Sequence, residues 1–252
     1  MLLGAGVLHL LPRLGRPGRA VSNALCRAPW LDLPITYFTV LPLILGPLWH
    51  GWPGLTGAVA GQVAGAIVWC WMHELANLEA VRGPRIVRTL NRIIGRWRNH
   101  AALWVMATAV PVFWIVRVTQ LIVYPILCLL TGLPRYRQGE WVSLSRQKFT
   151  GLVGHDLIWC LYCDWMTGLW SLGSEMLRNI ESLWCPIRFY DGKKCDHCRI
   201  DFPDVEHGWV KADGTMEEVT ATLEAKYGGT HRGWFGHAAR LTVNGADVRT
   251  TA

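Results

Sequence analysis

Apolar residues crowd into the span from Thr36 to Pro134, interrupted there by groups of arginine, and the chain after Gly192 turns polar. This uneven distribution constrains the fold more than any other feature. Long apolar segments must be covered by protein or by lipid, and 252 residues build only one or two ordinary domains. Charged residues make up 17% of the chain, against about a quarter in average soluble proteins. The pattern predicts a mainly α membrane protein: helical hairpins and an interfacial amphipathic helix, followed by a small C-terminal α+β tail. Four regions follow from it. Residues 1–34 form a basic entry segment, and 35–134 a membrane-embedded helical region with an interfacial helix at 83–99. Residues 135–190 form an amphipathic helical region carrying the first cysteine pair, and 191–252 a small cytoplasmic tail containing the second.

Within the apolar region, residues 35–49 hold Pro42 and Pro47 and are shorter than the roughly 20 residues of a straight span. His50-Gly51-Trp52-Pro53-Gly54 then supplies turn residues, and residues 55–72 carry no formal charge. A helical hairpin over 35–72, spanning or re-entrant, is expected. Gly57, Gly61 and Gly65 share one face of its second arm, where another helix can approach closely. Residues 101–133 exceed the ~25 residues of one perpendicular crossing. They read either as a hairpin turning near Arg117–Gln120 or as one long kinked helix. The hairpin is favoured, because it returns the basic group from Arg135 to Lys148 to the side of Arg82 to Arg98.

Between these segments, residues 83–99 carry the clearest helical periodicity. Ile86, Leu90, Ile93, Ile94 and Trp97 form an apolar stripe, and Arg85, Arg88, Arg92 and Arg96 a basic one. That pairing suits a helix lying in the headgroup plane of an anionic membrane, or, more plainly, an ordinary surface helix packed on protein. The formal charge of +7 fits lipid phosphates and a positive-inside bias. A nucleic-acid partner would need a soluble basic face or a recognisable motif, and neither is present. The partners expected are the lipid bilayer and other membrane subunits. Many of the 15 Trp sit near the ends of apolar runs, where indole favours the interface.

Of the 8 Cys, Cys26, Cys70 and Cys128 stand alone near apolar segments, where a thiol behaves as a small hydrophobe. The other five are Cys160, Cys163, Cys185, Cys195 and Cys198, with His155, His197 and His207 nearby. Met1 to Leu11 is apolar without a leading charged region, so reduced thiols on the cytoplasmic face of a bacterial-type inner membrane are expected. A two-residue gap lets both thiolates of a pair reach one cation. Cys160, Cys163, Cys195 and Cys198 would suit zinc, a rubredoxin-like iron or an iron–sulfur cluster. Cys185, Cys195, Cys198 and His207 would make a local zinc knuckle. Cys160 and Cys163 as core residues, and the second pair as an unmetallated turn, is the plainer alternative. Thiol redox chemistry lacks the strand–helix pattern around the pair that it needs.

A second set of polar residues lies at apparent membrane depth: His73, Glu74 and Glu79, then His155, Asp156 and Asp164. His–carboxylate sets hold metal or act as acid and base. No metalloprotease helix, nucleophile elbow, P-loop or dinucleotide loop is present, and helix caps and interfacial ion pairs explain these residues more simply. Further on, Thr215 and Glu218 fit a capping box and Asn244-Gly245 a hairpin turn. The function expected is a membrane-anchored, cysteine-ligated metal protein in a redox, electron-transfer or accessory-subunit role. The alternatives are a structural or interaction protein with a zinc-stabilised tail, and a membrane enzyme acting on lipid through His73 and Glu74 or His155 and Asp156.

Overall fold

The structure is a computed structural model that describes residues 1–133, 135–188, 208–228, 242–243 and 246–247. It is mostly helical and divides into two compact units. One comprises Met1–Phe113 and Gln138–Gly168; the other comprises Trp114–Arg137 and Leu169–Ala252.

The first unit contains the expected hairpin. Helices Asp32–Thr39 and Leu41–Leu75 run on from one another, and the chain reverses at Gly51, whose φ of 58° and ψ of −142° are open to glycine. Below the turn the arms touch backbone to backbone. A side chain on Gly46 or Gly54 would collide with the carbonyl of the other. Further down, Gln62 Nε2 donates to the Phe38 and Thr39 carbonyls at 2.9 and 2.7 Å. At ~1.5 Å per residue the arms are about 28 and 36 Å long, close to the ~30 Å of a hydrocarbon core. On the glycine face expected to receive a helix, a Cβ on Gly57 or Gly61 would meet nothing within 4 Å, whereas one on Gly65 would meet the Met1 side chain at 3.3 Å.

Two long stretches are apolar enough to cross a membrane by length and composition: Asp32–Leu75, with 44 residues, and Arg96–Thr131, with 36. Between them, the helix expected over 83–99 is cut in two. Gly95, at φ 90°, separates Ile86–Ile94 from Arg96–Ala107, and Asn99 Nδ2 donates to Asn91 Oδ1 across the break at 2.9 Å. Trp97 therefore belongs to the second helix and not to the amphipathic one.

In the second unit the turn expected near Arg117–Gln120 is absent. Helix Val110–Val118 passes into a widened turn, Thr119–Val123, and then into Tyr124–Thr131. No glycine or proline lies at Arg117–Gln120 to reverse the chain. Pro125 is taken up by the widened turn before it, in which the Tyr124 amide bonds back five residues to Thr119. Arg117 is wholly buried and neither snorkels nor reaches solvent. Its Nη1 donates to Gln120 Oε1 at 3.0 Å, and Gln120 Nε2 donates to the Leu169 carbonyl at 2.7 Å.

Helix Gly154–Trp184 is unbroken over 31 residues, although Gly168 to Gly173 suggests a break. Those glycines serve contact instead. Gly168 lies against the backbone of Trp141 and Val142, and Gly173 against the side chains of Val116 and Gln120. Steps of three at Glu175, Arg178 and Glu181 suggest an ion-pair ladder on a solvated face; Arg178 does pair with Glu181 at 3.7 Å, but Glu175 and Arg178 are core residues. Tyr136 donates its hydroxyl to Glu175 at 3.3 Å, Asn179 donates to the hydroxyls of Tyr124 and Tyr136, and Arg178 lies over the Trp209 ring. Beyond the helix, Val210 N donates to the Pro186 carbonyl and Arg188 N to that of Val210, both at 2.8 Å.

Of the expected α+β tail, the structure describes helix Met216–Tyr227, opened by the Thr215–Glu218 capping box. It also describes a two-residue antiparallel pairing of Thr242–Val243 with Ala246–Asp247. Residues 191–207, 229–241, Asn244-Gly245 and 248–252 of that tail lie outside the described residues.

Candidate functional site

The densest polar cluster of the first unit forms where three helix ends meet. Glu74 is the penultimate residue of the hairpin's second arm. Arg85, in extended conformation, caps the start of Ile86–Ile94, and Asp156 lies in the first turn of Gly154–Trp184. Arg85 Nε donates to Asp156 Oδ2 at 2.6 Å, and its Nη2 to Glu74 Oε1 at 2.8 Å and to the Val153 carbonyl at 3.2 Å. The side chains of Arg85 and Asp156 are 3% and 4% exposed. Charges this deep persist only when paired and hydrogen-bonded.

Both carboxylates have further work. Asp156 Oδ1 accepts the Val87 amide at 3.0 Å, so a residue 69 positions away caps the arginine-bearing helix. Glu74 Oε1 accepts the His155 amide at 3.1 Å, and His73 Nδ1 the Gly154 amide, also at 3.1 Å. Glu74 and His73 thus satisfy the first free N–H groups of Gly154–Trp184. Gly154 is held at φ 52°, and a Cβ there would strike the Glu74 side chain. Burial alone would push the Asp156 carboxyl up. The His155 and Arg85 side chains, the Arg85 charge and the Val87 amide outweigh burial and hold its pKa below the usual carboxylate range.

Imidazoles surround this core. His155 packs edge-on against His100 at 5.0 Å between centroids and accepts Trp159 Nε1–H at Nε2, 3.2 Å away. Its Nδ1 is buried and 3.8 Å from Asp156 Oδ1, beyond a hydrogen bond. His73 is tilted against Trp69 at 5.0 Å. The fold brings His73, Glu74, His155 and Asp156 together, in the helix-capping and ion-pair roles that are the simpler reading of them. Sequence reasoning misses Arg85, the residue that joins them, because Arg85 reads as one more member of the basic stripe. No local signal in the sequence sets Arg85 apart from that stripe.

Asp164, expected with this group, sits elsewhere. Its Oδ2 accepts the Ser145 and Arg146 amides at 2.8 and 2.9 Å, and its Oδ1 pairs with Arg146 Nε at 2.9 Å, pinning the connector before the long helix. Glu79 lies in the short helix Leu78–Arg82, apart from these contacts.

The cysteines described are all free thiols. Cys160 and Cys163 are half-buried on Gly154–Trp184, and Cys185 is exposed just past its end. Burial, only partly offset by the Arg146 charge, pushes the Cys160 thiol up. Cys160 and Cys163 belong to the first unit and Cys185 to the second. Among the described residues no three His, Cys, Asp or Glu side chains converge as a metal site. Cys195, Cys198 and His207 lie outside the described residues. Comparison with known protein families, curated proteins and solved structures finds no match for this chain.

Proposed function

We propose that this chain is a membrane-anchored accessory subunit whose C-terminal part holds a metal ion through cysteine thiolates, in the service of a redox or electron-transfer complex. The observation that carries the anchor is the hairpin Asp32–Leu75. Only 6% of its most apolar window is buried by protein, and Leu48, Trp49, Trp52 and Trp71 stand largely exposed. Lipid would cover this surface, and Arg82, Arg88 and Arg92 follow it toward the cytoplasmic side.

Support for the metal is the pair Cys195-Asp196-His197-Cys198, and sequence proximity favours one ligand set. The raised Cys160 thiol must lose a proton against its environment to bind. Cys185 is exposed and lies ten residues before Cys195 in the sequence. The set Cys185, Cys195, Cys198 and His207 is therefore preferred, and it suits zinc. Zinc would give a stapled docking tail without visible colour, whereas iron would absorb in the visible.

Convergence of His73, Glu74, His155 and Asp156 favours examining the rival reading, an enzyme acting on lipid. A general base needs a free lone pair within reach of its substrate. Both Asp156 oxygens accept bonds and the side chain is buried; Glu74 Oε1 accepts two more. That employment fits positioning of helices better than proton transfer.

Metal analysis with a visible spectrum on detergent-purified protein tests the proposal. One ion per chain is expected, lost in Cys195→Ser/Cys198→Ser and in Cys185→Ser but kept in Cys160→Ser/Cys163→Ser. A full complement of metal in the Cys195/Cys198 double variant, or none in the unaltered protein, contradicts it.

A further inference from the structure

Residues 1–31 hold four arginines and no acidic residue, and the fold sets the first of its helices against the hairpin. Helix Leu2–Leu10 contains no Asp, Glu, Lys or Arg. Both of its ends are fixed on the hairpin's second arm. A Cβ on Gly65 would meet the Met1 sulfur at 3.3 Å, and the His9 ring stands edge-on to His73 with centroids 6.2 Å apart. The helix therefore runs parallel to the arm, from the level of Gly65 to that of His73. Between those ends it also touches the first arm, where a Cβ on Gly4 would strike the Tyr37 ring. Leu3, Val7 and Leu10 remain 86%, 59% and 52% exposed. An open apolar groove runs between Leu3, Val7 and Leu8 on one side and Leu33, Tyr37 and Phe38 on the other.

Tryptophans give the depth of this contact. Trp52 and Trp71 are exposed at opposite ends of the second arm, about 28 Å apart along it at ~1.5 Å per residue. That matches a hydrocarbon core of ~30 Å with indoles at both interfaces. Gly65 then lies about 9 Å inside the Trp71 level, and His73 just outside it. Beyond His9 the chain turns at Leu11–Arg13, where Arg13 donates back to His9 Nε2 at 3.1 Å. It continues into helix Gly15–Leu25, whose exposed Arg16 and Arg19 lie on a different face from exposed Val21.

We infer, resting on the membrane anchor proposed above, that helix Leu2–Leu10 is inserted beside the hairpin in one leaflet and that Gly15–Leu25 lies among the headgroups of that leaflet. The exposed side of Leu2–Leu10 and its groove are continuous with the lipid-facing hairpin, so the same acyl chains cover both. Arg13, Arg16 and Arg19, all exposed and with no acidic neighbour in the segment, gather anionic phospholipid by matching guanidinium to phosphate. The N-terminal segment is thus a membrane-embedded part of the protein and not only a basic entry.

Photolabelling of the full chain in phosphatidylcholine vesicles tests this. The probe is a phospholipid with a carbene-generating diazirine in its acyl chain, headed by either choline or glycerol, and labelled residues are mapped by mass spectrometry. Labels are expected on residues 1–10 as well as on 41–75. Relative to the hairpin, residues 1–10 should take about fivefold more label from the phosphatidylglycerol probe than from the phosphatidylcholine probe, the equivalent of one arginine's attraction at a membrane surface. Arg13→Gln/Arg16→Gln/Arg19→Gln should abolish that preference and leave the hairpin labelled. Label on the hairpin with none on 1–10 overturns the inference and leaves the anchor standing. Equal labelling of 1–10 by the two probes, or a preference that survives the triple substitution, overturns the role of the arginines. Absence of label from both segments overturns the anchor, and this inference with it.

Discussion

Replacing Arg85 with methionine should lower stability by about 3–5 kcal/mol, the range for removing one partner of a buried ion pair. The variant leaves Asp156, 4% exposed, and Glu74 without the cation that compensates them. It also frees the geometry by which Asp156 caps Val87 and Glu74 caps His155, so three helix ends loosen together. Thermal unfolding in detergent reads the loss. Asp156→Asn keeps the shape and should cost less, and the two changes combined should cost clearly less than their sum, because they break one interaction. Additive losses would show that Arg85 acts by bulk alone.

Acid should act on the same site. The Asp156 carboxyl is held below its ordinary value, so its share of stability is fully present above the unfolded pKa of about 3.9. That share is lost as pH falls through the lower folded value. Stability in the unaltered protein should thus decline more steeply below about pH 4 than in Asp156→Asn.

Gly46→Leu or Gly54→Leu should be the most disruptive change in the hairpin, costing about 3 kcal/mol or more, since overpacking is worst where the obstacle is backbone. Each side chain would meet the facing carbonyl, and neither arm can yield without opening the contact made by Gln62 to Phe38 and Thr39. Gly57→Leu and Gly61→Leu are the controls. Nothing lies within 4 Å of a Cβ there, and leucine is the better helix former, so these should be neutral or slightly stabilising. Equal damage at all four positions would mean that the Gly46–Gly54 contact does not hold the arms.

Local signals in the sequence were legible where local physics decides. The breaker cluster around Gly51 marks the hairpin turn, and Thr215 with Glu218 marks a helix start that the structure reproduces bond for bond. Glycines misled in both directions. Gly57 and Gly61 promise a helix contact and face open space, while Gly168 and Gly173 promise a break and instead admit neighbours to an unbroken helix. A glycine's spacing does not state whether it bends the chain or lets another segment in.

Long-range partnership was the larger gap. Arg85 pairs with a carboxylate 71 positions away, and periodicity within one helix carries no trace of that. Arg117, ambiguous as an isolated charge in an apolar run, is wholly buried within the second unit and bonded to Gln120. The candidate residues His73, Glu74, His155 and Asp156 were visible by type and by position at segment ends. Their convergence became visible only with the fold.

Alkaline carbonate extraction of membranes containing the full chain, followed by flotation of the pellet, tests most directly whether the hairpin Asp32–Leu75 lies in lipid. Retention of the protein in the floated membranes, with release only by detergent, is the predicted result. Release into the carbonate supernatant as dispersed protein would contradict it.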